Sequence, residues 1–404
     1  MRKRGKVISR TLLVLLGIIL LAVACIYITG HGYVFRAVQK TFLKGYKTTN
    51  IDDYPDFDNN IIEAGEPQYW DYHPEYGKIE LTDTLRKELE DFHSIGFAIV
   101  KDGKMLYEEY WDDYSDESHT NSFSMAKTIT IMLLGKAIEE GYIKGMDQKI
   151  IDFIPEFKDD PYAQLCTIAH LSSMTSGFDW KENYYSPFSI TTEAYFGKDI
   201  QKQILKRKFA EKPGGLFKYS SADTQILAII LKRATNKSLS QYLSESFWKP
   251  MGMEHDALWS LSGGIEKSFC CVHSNVRDFA KLGQLLLQKG KWKDKQLLDS
   301  AFVEMMISPN YKAFEPDMPK KYGHSIWIDE EYNPTVYGML GHLGQRVLVL
   351  PEYNTIIVRL GKHQDYIRKS KGHLDFDIYR FIDEVVKILP KDTTDYPVEE
   401  QESN

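Results

Sequence analysis

The hydrophobic pattern begins with a single unbroken run. Thr11 to Ile28 contains no charged residue and is long enough to approach a bilayer span, and Arg2, Lys3, Arg4, Lys6 and Arg10 precede it. Periodicity then fades. Residues 30–79 are rich in Asp, Asn, Pro, Gly and Tyr and read as a stalk. Helical spacing starts at residues 81–92, where Thr82 takes the capping position and Leu85 and Leu89 share one side. The period then changes to two. Phe97, Ile99, Met105 and Tyr107 alternate with other residues around Asp102-Gly103, and an Asp-Gly step between two such runs predicts a hairpin over 96–111.

A polar loop, 112–120, leads into an apolar helical run at 129–138. Next come a short irregular connection at 150–157, a helix over 168–180 stopped by Gly177, and a long aromatic loop at 181–198 of the kind that borders clefts. Further helices are predicted at 200–208, 223–234, 239–248, 274–289 and 300–306, with turns at Pro213-Gly214-Gly215 and Gly263-Gly264 and an extended piece at 216–219. Strands are predicted at 322–327, 346–349 and 355–360. A helix at 374–389 and an acidic tail at 391–404, expected to be disordered, complete the chain. A hairpin, a helical block, late strands and a helix together predict an α+β fold. Its antiparallel sheet is built from both chain ends and flanked by helices, with a mainly helical region inserted between them.

Composition narrows the class. With 404 residues, 43% hydrophobic and 26% charged, the chain is globular, and a formal net charge of −7 argues against nucleic-acid binding. The basic residues before the apolar run keep segment 1–10 cytoplasmic under the positive-inside rule, with 11–29 as a transmembrane anchor and the rest outside the cytoplasm. A cleaved signal peptide is the competing reading, but the stretch is long for one and ends in Tyr27-Ile28-Thr29-Gly30, without small residues at a cleavage spacing. Lipid attachment at Cys25, after Ala22-Val23-Ala24, is the minor alternative to an uncleaved anchor. Four cysteines make no disulfide framework, and the adjacent Cys270 and Cys271 are expected as small buried thiols. No histidine or cysteine set has metal-ligand spacing, and no cofactor is expected.

The chemistry centres on Ser124-Met125-Ala126-Lys127. Residues three apart on a helix share a face, and a helix start points unpaired N–H groups and the positive dipole end at the serine. Two later segments accompany it: Lys218-Tyr219-Ser220-Ser221 and Gly341-His342-Leu343-Gly344-Gln345. In this order the three resemble the signatures of serine β-lactamase-like and penicillin-binding-protein-like hydrolases, particularly the class C branch, over about residues 92–389. Leu171 to Gly177 and Gly263-Gly264 with the helix after it are similar to that family too.

The resemblance implies a β-lactamase/transpeptidase-like domain over 80–390. It also implies Ser124 as nucleophile, Lys127 as the group that takes its proton, and Tyr219 as a partner in proton transfer. The oxyanion would be held by the N–H groups of Ser124 and Gln345, with Gly344 allowing close approach. Ser221 stands where lactamases have asparagine, and His342 where many members have a lysine that anchors a substrate carboxylate, so His342 would be a weaker, pH-dependent anchor. Trp180, Tyr184 and Tyr185 are candidate substrate contacts on the aromatic loop. Tyr-x-Ser with Gly-Gln resembles 6-aminohexanoate-dimer hydrolases and esterases. The expected activity is hydrolysis of a small or peptide-like amide or ester. The alternatives are a D,D-peptidase or weak β-lactamase, and a cell-wall binding or sensing module without turnover.

Overall fold

The computed structural model describes residues 2–310, 313, 321–364 and 374–390, so the expected acidic tail at 391–404 lies outside the described residues. Six antiparallel strands form the main sheet, in the order Trp327–Asp329, Val336–Gly341, Gln345–Leu350, Thr355–Gly361, Ser94–Lys101 and Lys104–Tyr110. Strands from the two chain ends meet where Ile357 pairs with Ile99 and Val358 with Ala98. Every residue of Ser94–Lys101 is buried, because both faces of the sheet are covered. Phe97 and Ile99 join a core with Leu85, Leu89, Phe381 and Ile382 from the helices Asp83–Asp91 and Phe376–Ile388. Ala98 and Val100 face the larger core on the other side. There the helix Val276–Leu287 packs so closely that a Cβ at Gly283 would come within 2.8 Å of Val347.

The serine-bearing helix, Met125–Glu139, is buried on nearly all sides. A helix apolar all round belongs in the centre of a domain. It packs between the sheet and the helical block, which includes Ser221–Thr235. The aromatic loop expected at 181–198 ends in a helix, Ile190–Phe196, capped by Ser189. The helix expected over 168–180 is only Ile168–Ser172.

Two expectations need correcting. Residues 30–79 are not a free stalk. The helix Tyr33–Lys40 packs on Ile190–Phe196, Asn59–Ile62 pairs with Ala257–Ser262 in a second sheet, and Ile51, Ile62 and Trp70 are buried in the core. Apolar residues are sparse there, but Val34, Ala37, Ile51, Ile62 and Trp70 are buried against the domain. Cys270 and Cys271 are joined by a disulfide. A left-handed backbone at Cys271 (φ 72°) accompanies the pairing of these neighbours.

Candidate active site

Ser124 sits at the junction of two unlike pieces of backbone. Before it, Phe123 has φ 44°, unusual for a bulky residue, and after it the helix begins. This turn is braced from behind: Asn121 Oδ1 accepts from the Phe123 N–H at 2.8 Å, and Asn121 Nδ2 donates to Asp53 at 2.9 Å. Tyr195 donates to the same carboxylate at 2.6 Å. Lys267 lies beside this cluster, its Nζ 3.3 Å from the centroid of the Phe57 ring. Burial pushes the Asp53 carboxyl above, and the Lys267 amine well below, the ordinary range.

Lys127 is 1% exposed. Its Nζ donates to the Phe269 carbonyl at 2.9 Å and lies 3.1 Å from Ser124 Oγ. Burial lowers its pKa to about 8, and the Glu182 carboxylate offsets part of that fall. Tyr219 completes the cluster. Its hydroxyl is hydrogen bonded to Ser124, and burial drives its pKa the other way, well above the ordinary phenol. The ring stacks on Trp327 at 5.7 Å, with the Lys127 amine 4.9 Å from its centroid. Desolvation thus pushes both groups toward their neutral forms.

Ser124 and Tyr219 line a cavity of about 590 Å³, and Ser221, Tyr184, Tyr185 and His342 line it with them. Five of the six are sequence candidates besides the nucleophile itself. Trp180 does not line the cavity and donates instead to Glu182 at 2.9 Å. Gly344 and Gln345 do not line it either. The Gln345 side chain turns back to donate to the His342 and Gly361 carbonyls. The strand reaches the serine at Gly341, where a Cβ would come within 2.3 Å of the Ser122 carbonyl oxygen. Two buried arginines fix this corner. Arg346 donates to the Gly341 carbonyl at 2.9 Å, and Arg359 donates to the carbonyls of Leu343 and Gly344 at 3.0 Å.

His342 stacks on Tyr184 at 5.9 Å and meets Phe123 edge-on at 5.5 Å. Burial, and then the Arg346 charge, lower its pKa to about 4. It is therefore neutral near pH 7, rather than the pH-dependent cationic anchor expected for a carboxylate. Glu182 was not singled out in the sequence. Its carboxylate lines the cavity and accepts the Ser221 N–H, and the Tyr184 hydroxyl is hydrogen bonded to it. A lone acid in an aromatic loop has no spacing to reveal it.

A serine at a helix start, with a buried amine and a phenol around it on this α+β scaffold, matches a serine-hydrolase-type enzyme. The chain belongs to the Beta-lactamase family, which residues 81–377 match. The 6-aminohexanoate-dimer hydrolase of Paenarthrobacter ureafaciens is 22% identical over 299 residues, covering 70% of this chain and 76% of that protein. Protein flp of Staphylococcus aureus (strain COL) is 26% identical over 331 residues, 74% of this chain, and the chain spans 66% of its length. Among solved structures, a Bacillus anthracis protein assigned as a 6-aminohexanoate-dimer hydrolase superposes with a TM-score of 0.67 at 20% identity, covering 88% of this chain and 93% of the other. A family VIII carboxylesterase gives 0.60 at 17% identity, covering 82% and 100%.

Proposed function

We propose that this enzyme hydrolyses an amide or ester through an acyl-enzyme on Ser124, outside the cytoplasm and held to a membrane by Thr11–Ile28. The observation that carries the reading is the amine of Lys127, buried, lowered to about 8 and 3.1 Å from Ser124 Oγ. Unprotonated, that amine takes the serine proton as Oγ attacks the carbonyl. Tyr219, held as a neutral phenol, gives a proton to the leaving nitrogen or oxygen. Environments that push two titratable groups apart in pKa assign the base and the acid in this way. The Ser124 N–H supplies one oxyanion donor. The second comes from the strand end at Gly341–His342 rather than from Gln345, because that end lines the cavity. Removing one such donor typically costs about 3 kcal/mol of barrier.

A neutral His342 disfavours the D,D-peptidase or β-lactamase reading, since those substrates carry a carboxylate that a cation would hold. The cluster of Ser124, Lys127 and Tyr219 disfavours a binding module without turnover. The test is fluorophosphonate labelling of the protein and of Ser124→Ala, followed by a panel of short esters, linear amides, D-alanyl peptides and nitrocefin. Labelling at Ser124 with turnover of esters or linear amides is the expected result. Release of D-alanine or opening of nitrocefin at higher efficiency would favour the alternative. Labelling unchanged in Ser124→Ala would overturn the acyl-enzyme.

A further inference from the structure

One wall of the cavity lies outside the segment that matches the family. Ala37, Thr41 and Phe42 come from the helix Tyr33–Lys40 and the turn after it, and Lys47 to Thr49 continue the wall. Only residues 29–32 separate this helix from the end of the apolar segment Thr11–Ile28. Even a fully extended link would leave Ala37 within about 25 Å of Ile28. The link is wound tighter than that. Thr29 donates to the Cys25 carbonyl, His31 to that of Ile26 and Val34 to that of His31, each at 2.9 Å. The wall is also fastened to the aromatic loop and its helix. Arg36 Nε donates to the Phe196 carbonyl at 2.6 Å, the Tyr33 hydroxyl to that of Ser189 at 3.5 Å, and the His31 and Phe188 rings are 5.7 Å apart.

The rim of this opening is apolar and bare. Phe42 is 63% exposed, Leu43 76%, Tyr185 77% and Phe188 54%, and Phe42 and Tyr185 also line the cavity. A cluster of large exposed apolar side chains marks a surface that meets a membrane or a partner. Here it lies next to an apolar helix of bilayer length, which selects the membrane. Behind the rim, Phe123, Tyr195, Phe196, Phe269 and Leu340 continue the apolar lining toward Ser124.

We infer that the substrate comes from the bilayer itself: an amphiphilic acyl ester or amide of the outer leaflet, whose acyl chain enters between Phe42 and Tyr185 until its carbonyl reaches Ser124. This rests on the anchored acyl-enzyme reading above and adds a substrate class to it. Ser124 Oγ bonds to the acyl carbon, and the bond from that carbon to the headgroup oxygen or nitrogen breaks. The leaving atom takes a proton from Tyr219, which is restored from Ser124 through Lys127. Water then releases the fatty acid and returns the proton to Ser124.

The test uses the full chain in phosphatidylcholine–phosphatidylglycerol vesicles with two chromogenic probes, soluble p-nitrophenyl acetate and p-nitrophenyl palmitate dissolved in the vesicles. Leu43→Glu and Phe188→Glu alter the rim at positions that do not line the cavity. Both should keep the acetate rate within about twofold and lose at least about tenfold on the palmitate, while Ser124→Ala loses both activities. Rim variants as fast as the parent on palmitate, or a parent that turns over acetate but not palmitate, would overturn the inference and leave the acyl-enzyme standing. Acetate hydrolysis that survives in Ser124→Ala, or inactivity on both probes, would bring down the acyl-enzyme reading itself.

Discussion

The pH dependence of acylation follows from one buried amine. An ordinary lysine has a pKa of 10.5, and that of Lys127 is lowered to about 8 by burial. At pH 7 an amine at 10.5 is about 0.03% unprotonated and one at 8 about a tenth, roughly a 300-fold gain in working base. The kcat/KM for a short ester should therefore rise about tenfold per pH unit below pH 8 and level off above it. Lys127→Ala should lose about a thousandfold, within the range for removal of a general base. Stopped-flow acylation between pH 6 and 10 measures both. A rate already flat at pH 6, or still climbing through pH 10, would refute the assignment of Lys127 as the base. Stability also rises with pH, but over a higher window. Between about pH 8 and 10.5 the unfolded chain binds more protons at this site than the folded one, so stability rises with pH across that window. Below pH 8 the full penalty applies, on the order of 3 kcal/mol. Lys127→Met should therefore raise the urea midpoint at pH 7 relative to the parent, less the hydrogen bonds it gives up, while removing activity.

Three further outcomes can be checked on the same assays. Glu182 holds the Lys127 pKa up, so Glu182→Gln should move the acid limb of the pH profile to lower pH, with kcat/KM against pH as the readout. Asp53→Ala removes the acceptor behind Asn121 and Tyr195. It should reduce kcat about tenfold with little change in KM, alongside a loss of about 1–3 kcal/mol by urea unfolding, and Asp53→Asn should recover part of the kcat. With His342 titrating near 4, His342→Ala should change rates on carboxylate-bearing and neutral esters by the same factor from pH 6 to 9. A selective loss on the carboxylated ester would return His342 to the role of anchor.

The parts of the fold that could be read from sequence are those where one physical signal dominates. The Asp102-Gly103 turn gives its hairpin, and Thr82, Leu85 and Leu89 give their helix, because capping and spacing agree. The strand Val336–Gly341 was missed because Gly338 and Gly341 dilute its β pattern. A Cβ at Gly338 would come within 2.4 Å of the Val347 carbonyl oxygen, so a close approach across the sheet, not strand propensity, dictates that glycine. At the site, Ser124, Lys127 and Tyr219 were legible as a set because three ordered motifs carried them. Gln345 was chosen from its place in a motif, and only the path of the chain shows that Gly341 is the residue against the serine turn. Asp53 meets Asn121 and Tyr195, and Glu182 meets Ser221, across long stretches of sequence, and nothing local to either acid signals that.

The pairing of Asn59–Ile62 with Ala257–Ser262 determines where the polypeptide can be severed without damage. A truncated protein begun at residue 80 would bare a sheet edge, drop the carboxylate behind Asn121 and open one side of the cavity. If the chain is anchored as proposed above, proteolytic release of an intact catalyst would have to cut no later than residue 32, ahead of the helix Tyr33–Lys40. A cut between residues 33 and 79 would leave the fragments clasped together or the catalyst incomplete.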